Sequence, residues 1–345
     1  MNTTPSPELP PAAVPSSVLP AGADRPTTTP DHPQIDATGR VPTAGERAVV
    51  LGGGGSLGNA WEIGVIAGLY EAGVDITEAD LTIGTSAGAT AAAQLAGGLP
   101  PTELLAAILD PAPQHPVDPG SAGPGSADRR PAPSRPVPEQ MARTAAVIAA
   151  AADPADMRSR MGAEALAADA ASHGAASARW RDVVAGRLPG LQWPQRLLLI
   201  TAINARTGEP VVFDRDSGVD LVDAVAASTS SGFGVPPYAI GDGRYLDGGY
   251  RRNENADLAA GYARVLVLSP FGGRSRHPQV WGMDLATQVD ELRAGGSRVE
   301  TVFPTGDTEH ALRVNAMDVT QRPAAARAGH DQGRALAGRL TEFWC

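Results

Sequence analysis

The chain has no lysine. All 28 of its basic residues are arginine, set against 38 acidic ones, giving a formal charge of −10 and a pI of about 5.1. That balance excludes general nucleic-acid binding, which needs a basic face to release counterions. It also argues against strong adhesion to anionic lipid. The one cysteine is Cys345, so neither an internal disulfide nor a cysteine zinc cluster can form, and a reducing compartment is permitted. No apolar run reaches the roughly 18 to 20 residues that span a bilayer. The N-terminus lacks a basic segment, and its apolar residues are broken by prolines, so no secretory signal is expected. These absences lead to the expectation of a cytoplasmic protein, with or without peripheral contact at a membrane.

Glycine (40) and proline (31) are abundant, and 42% of the 345 residues are hydrophobic, enough for a sizeable core. The length suits one α/β domain carrying extra segments. Residues 1–44 are rich in Pro, Thr, Ser and Ala without periodicity, which predicts a disordered tail before a domain at 45–345. A second Pro/Gly-rich stretch at 111–138 reads as an insertion or a lid. Between them, "RAVVL" (47–51), "DLTIG" (80–84), "RLLLITAI" (196–203), "PVVF" (210–213), "ARVLVLSP" (263–270) and "RVETVFP" (298–304) read as strands. Residues 56–70, 86–98, 139–187, 283–294 and 324–342 read as helices. Alternation of the two predicts a largely parallel sheet covered on both sides.

Three motifs carry chemistry. In "VVLGGGGSLGNAWEIG" a strand runs through Gly52–Gly55 into a helix, so backbone N–H groups point at whatever sits before the helix, and an anion belongs there. The same residues satisfy G-x-G-x-x-G, with Asp75 placed 22 residues after Gly53, as in a dinucleotide fold. Against that, the second strand ends not in an acid but in Gly84-Thr85-Ser86-Ala87-Gly88, a G-x-S-x-G in a strand–turn–helix setting. Such pentapeptides also arise by chance in Ala/Gly-rich chains. Ser86 lies 33 residues after Gly53, one β-α-β unit, and the right-handed crossover rule then puts both turns at one carboxyl edge of neighbouring strands. The third motif, "GRYLDGGYRRNENADLA", sets Asp247 before Gly248 and Gly249. A carboxylate there is either a turn-former or a general base.

In order, spacing and context these motifs resemble the patatin-like phospholipase family, serine acyl hydrolases with a Ser–Asp dyad. The resemblance implies a three-layer α/β/α fold around a mainly parallel sheet. It implies Ser86 as nucleophile in an elbow of Gly84, Thr85, Ala87 and Gly88, and Asp247 as its base in a loop with Gly248 and Gly249. The amides of Gly53, Gly54 and Gly55 would form the oxyanion hole. No metal or cofactor is implied, and the substrate would be a phospholipid or another acyl ester. Two departures stand out: the family's loop arginine is Leu57, and the aspartate that often opens the loop is Gly52. A weak or inactive lipid- or acyl-binding relative is therefore the first alternative, and a nucleotide-binding protein the second.

An ordinary Ser–Asp–His order also allows His310 or His330 as the proton acceptor. Neither lies in a motif that would hold an imidazole against a serine. His32, His115 and His277 sit in Pro- or Gly-rich loops and His173 at a helix end. Arg251 and Arg252, just after Asp247, are candidates for a phosphate head group or for plain solvation. Leu57 and Trp61 are candidates for the entrance, although Trp61 at helical spacing suits a core equally.

Overall fold

Apolar residues on the central strands are buried on both faces. On β1 (Gly45–Leu51), Val49 and Leu51 join one core while Ala48 and Val50 join another across the sheet. The computed structural model describes Met1 and residues 35–110, 137–170, 175–232 and 234–345. Most of the expected tail and of the 111–138 stretch lies outside the described residues, as do His32, His115 and His173. Residues 36–40 belong to the fold instead. The Ala37 N–H donates to Val212 O at 2.7 Å, and Arg40 pairs with Asp214 at 2.8 Å.

Among the described residues the sheet has eight strands. After β1 come β2 (Leu81–Gly84), β3 (Leu197–Asn204), β4 (Pro210–Phe213), β5 (Tyr238–Ile240), β6 (Gly243–Asp247), β7 (Tyr262–Leu268) and β8 (Arg298–Val302). Their order is β5-β6-β3-β2-β1-β7-β8, with β4 also on β3. The run from β3 to β8 is parallel; β4 and β6 are antiparallel to β3, and β5 is antiparallel to β6. Strand order reverses at β1, since β2 lies on one side of it and β7 on the other. Such a switch point opens a crevice at the carboxyl ends of the strands.

One face is covered by α1 (Gly55–Glu71), α2 (Ala87–Ala96), α3 (Pro101–Leu109), α7 (Leu221–Ser228) and α10 (Arg322–Trp344). The other is covered by α8 (Leu285–Ala294) and residues 256–259. Helices α4 (Val137–Ala150) and α5 (Pro154–Asp169) form a third cluster over the ends of β3 and β6. Two further helices are α6 (Ala175–Ala185) and α9 (Gly306–Asn315). The three-layer α/β/α arrangement read from the sequence is therefore the fold. The short β5 and β6 and helix α3 have no counterpart in the sequence reading.

α1 and α10 meet backbone to backbone through two glycine pairs, Gly64/Gly68 and Gly329/Gly333. A Cβ at these positions would lie 2.2 Å from Ala326 O, 2.1 Å from His330 O, 2.3 Å from Trp61 O and 2.2 Å from Val65 O respectively. No side chain fits such a gap. Trp61 and Leu57 are fully buried, so neither lines an entrance; the Trp61 Nε1–H donates to Gln332 on α10 at 3.0 Å.

Candidate active site

The glycine loop and the G-x-S-x-G turn sit side by side because β1 and β2 are parallel neighbours. The two turns are strapped together. Thr85 N–H donates to Leu51 O at 3.1 Å, and Gly88 N–H reaches Gly52 O at 3.2 Å. Position 88 must be glycine, since a Cβ there would lie 2.0 Å from Leu51 O.

Ser86 has φ 55° and ψ −112°, between the end of β2 and the start of α2. A non-glycine residue held there carries strain of about 1–3 kcal/mol, and such strain gathers at functional sites. Its N–H is tied down by the Oγ of buried Ser228 at 2.9 Å. The backbone thus pushes the hydroxyl up at the strand edge, where Ser86 keeps partial exposure.

Asp247 closes β6, paired with Ala202 of β3. Its N–H donates to Ser230 O at 2.9 Å, and its Oδ1 accepts from Gly249 N–H at 2.8 Å. Burial pushes its pKa up from 3.8 to about 6, against the pull of two donors, the Ser86 hydroxyl and the Gly249 amide. The serine thus faces a carboxylate that is more basic than usual.

The glycine loop approaches the same point. A Cβ on Gly53 would lie 3.6 Å from Ser86 Cβ. Not all three expected amides are open, however. Gly53 N–H already donates to Asn253 O at 3.0 Å, which removes Gly53 as an oxyanion donor. The amides of Gly54 and Gly55, at the start of α1, make no hydrogen bond to any described residue. The arginine absent from this loop has been replaced by other supports. Leu57 points into the core, Asn253 Nδ2 donates to Gly53 O at 3.1 Å, and Arg322 reaches Ser56 O at 2.7 Å and Asn59 Oδ1 at 3.0 Å. Behind the loop, burial raises the pKa of Glu254 and, further still, that of Glu62. Glu254 accepts from Asn253 at 2.9 Å and from Ser269 at 2.7 Å.

Among the described residues no histidine touches the pair. His310 is exposed on α9, His330 bonds Glu71 at 2.9 Å, and His277 bonds Ser275 at 2.9 Å. Burial and neighbouring arginines lower the His277 pKa to about 4. Arg251 is bound to Asp257 and Asn255, and Arg252 to Glu291, so neither is left for a head group. Asp75 accepts from the N–H and hydroxyl of Thr77, a local turn ahead of β2, and cannot act as a ribose ligand at a strand end. Among the described residues no three His, Cys, Asp or Glu side chains converge to hold a metal. A groove of about 580 Å³ runs between Met141, Ala145, Ile148 and Ala149 of α4 and Arg276–Pro278; neither Ser86 nor Asp247 lines it.

The family model for patatin-like phospholipases matches residues 49–260, well over half of the chain. The chain belongs to that family. The matched span of this patatin-like phospholipase holds the glycine loop, Ser86 and Asp247, while β8, α8 and the α10 seam lie beyond it. Among solved structures it is similar to the crystal structure of VipD from Legionella pneumophila, with 15% identity and a TM-score of 0.40. That likeness covers 86% of this chain and 67% of the other. No curated protein matches the chain.

Proposed function

We propose that this patatin-like chain is a metal-independent lipid acyl hydrolase, with Ser86 as nucleophile and Asp247 as its general base. The observation that carries the reading is the strained Ser86 backbone presenting a hydroxyl to a desolvated carboxylate beside a glycine loop. Asp247 takes the Oγ proton as Oγ bonds to the ester carbonyl carbon. The oxyanion accepts from the Gly54 and Gly55 amides at the positive end of α1, about 3 kcal/mol for each donor. On collapse the carbon–alkoxy bond breaks and Asp247 returns its proton to the departing alcohol. Water then attacks the acyl-enzyme by the same route, releasing the acid and free Ser86. Raising Asp247 to about 6 narrows its mismatch with a serine hydroxyl and leaves it ionised at neutral pH.

The test pairs a panel of acyl esters with a fluorophosphonate label, each applied to wild type and Ser86→Ala. Hydrolysis and labelling that both vanish in the variant support the proposal. A wild type that neither hydrolyses nor labels points instead to the non-catalytic binding relative. The pH profile adds a second check. kcat/KM is expected to fall about tenfold per unit below pH 6, as Asp247 takes up its proton. Ser86→Ala removes a donor that favours the carboxylate, so the Asp247 titration, followed by carbon-13 NMR, should move above 6.

A membrane approach fits the rim of the loop. Ala316 O accepts the Leu57 N–H at 2.9 Å, and beside it Val314, Met317 and Val319 are 71%, 57% and 64% exposed. Met317 Sδ would lie 2.9 Å from a Cβ on Gly55, so this exposed apolar segment adjoins the loop; it suits a lipid surface, and the −10 charge favours a zwitterionic one. Val314→Ser combined with Val319→Ser should cut activity on phosphatidylcholine vesicles about tenfold and leave a water-soluble ester unaffected. Equal losses on both substrates would refute the surface role. Among the described residues no helix is long and apolar enough to cross a membrane.

A further inference from the structure

Only two non-glycine residues among those described have positive φ: Ser86 and Asn255, at 56°. They belong to one network. Asn255 is fully buried, and its Nδ2 faces Thr85 Oγ1 at 3.0 Å, Thr201 Oγ1 at 3.2 Å, Gly248 O at 3.3 Å and Arg252 O at 2.7 Å. Its Oδ1 accepts from Arg251 at 2.7 Å, which fixes the orientation of the amide: oxygen toward the cation, nitrogen toward four oxygens. Thr85 is also buried and bonds Thr201 at 2.9 Å.

Thr85 precedes Ser86, and Gly248 follows Asp247. The two reacting groups come from separate strands, β2 and β6, which are not neighbours; β3 lies between them. Thr201 is on β3. A single amide group therefore bridges the serine elbow, the intervening strand and the acid loop. We infer that Asn255 is a positioning residue that sets the Ser86–Asp247 separation. This rests on the reading of Ser86 and Asp247 given above. A group that only formed a turn would need the left-handed backbone and no particular side chain. Here the side chain is surrounded by oxygens from both halves of the site, and the two positive-φ residues are the bridging residue itself and Ser86, next to the Thr85 that it holds.

Asn255→Gly separates the two roles, because glycine keeps the backbone conformation freely and deletes the amide. The prediction is a folded protein whose kcat falls on the order of 10- to 100-fold with KM within about twofold, the signature of lost alignment. The acid limb of kcat/KM should also move to higher pH, since a withdrawn Ser86 hydroxyl no longer favours the Asp247 carboxylate. Thr85→Val removes one partner with little change in volume and is predicted to move kcat and the limb the same way; it decides the matter if Asn255→Gly does not fold. Folded variants with wild-type kcat and an unmoved limb overturn the inference while leaving the Ser86–Asp247 reading intact. Wild-type activity that survives Ser86→Ala overturns that reading, and the inference with it.

Discussion

Asp247→Asn is expected to lose ester hydrolysis on the order of 10³-fold or more and, at pH 8, to melt higher than wild type. The activity loss follows if the carboxylate is the only base within reach of Ser86. The stability gain follows from linkage. An unfolded aspartate titrates near 3.8 and the folded Asp247 near 6. A raised pKa contributes stability that is full below pH 3.8 and is lost as the pH rises through 6. Above that window the native state holds an ionised carboxylate in a desolvated place, at a cost of about 3 kcal/mol. Asparagine has the same shape, can still accept from Gly249 N–H, and has no charge to desolvate. The gain in melting temperature should be a few degrees at pH 8 and should shrink steadily toward pH 4. Thermal melts of both proteins across that range, beside an ester assay, check the two halves together. An asparagine variant that is less stable at pH 8 would mean that the carboxylate is better solvated than its surroundings indicate.

The second large effect belongs to the α1–α10 seam. Gly68→Val and Gly333→Val should each destabilise the fold by about 3 kcal/mol or more. Every new Cβ would lie within 2.3 Å of a carbonyl oxygen on the facing helix, so the helices must separate along their length. Gly338, also on α10, is the control: nothing lies within 4 Å of its Cβ position, and Gly338→Ala should be neutral or slightly stabilising. Urea unfolding distinguishes the two sites. Comparable midpoints for the seam and control variants would contradict the close approach.

Much of this site is legible in the sequence because its chemistry is local. The strand–turn–helix frame of Gly84–Gly88 and the Asp247-Gly248-Gly249 turn are each spelled out by a few adjacent residues. What escapes is long-range. Gly53 reads as an open amide until Asn253, 200 residues on, is seen to occupy it. Asn255 looks like one more polar residue in a charged loop, and nothing nearby in the chain announces that Thr85 and Thr201 await its amide. The β5–β6 hairpin is too short for periodicity, with three and five residues, so Asp247 reads as a turn residue when it closes a strand. The glycine seam did leave a signal: Gly64/Gly68 and Gly329/Gly333 repeat at a spacing of four on two predicted helices, and that spacing marks a bare helix face.

The same seam bears on the proposed oxyanion site. α1 begins at the amides proposed to hold the oxyanion, and the partner that fixes its position is α10, which ends one residue before Cys345. A disturbance of this glycine face therefore reaches the proposed oxyanion donors from behind. A variant whose two helices no longer nest would keep the proposed nucleophile and base unchanged and still lose the amides they work with.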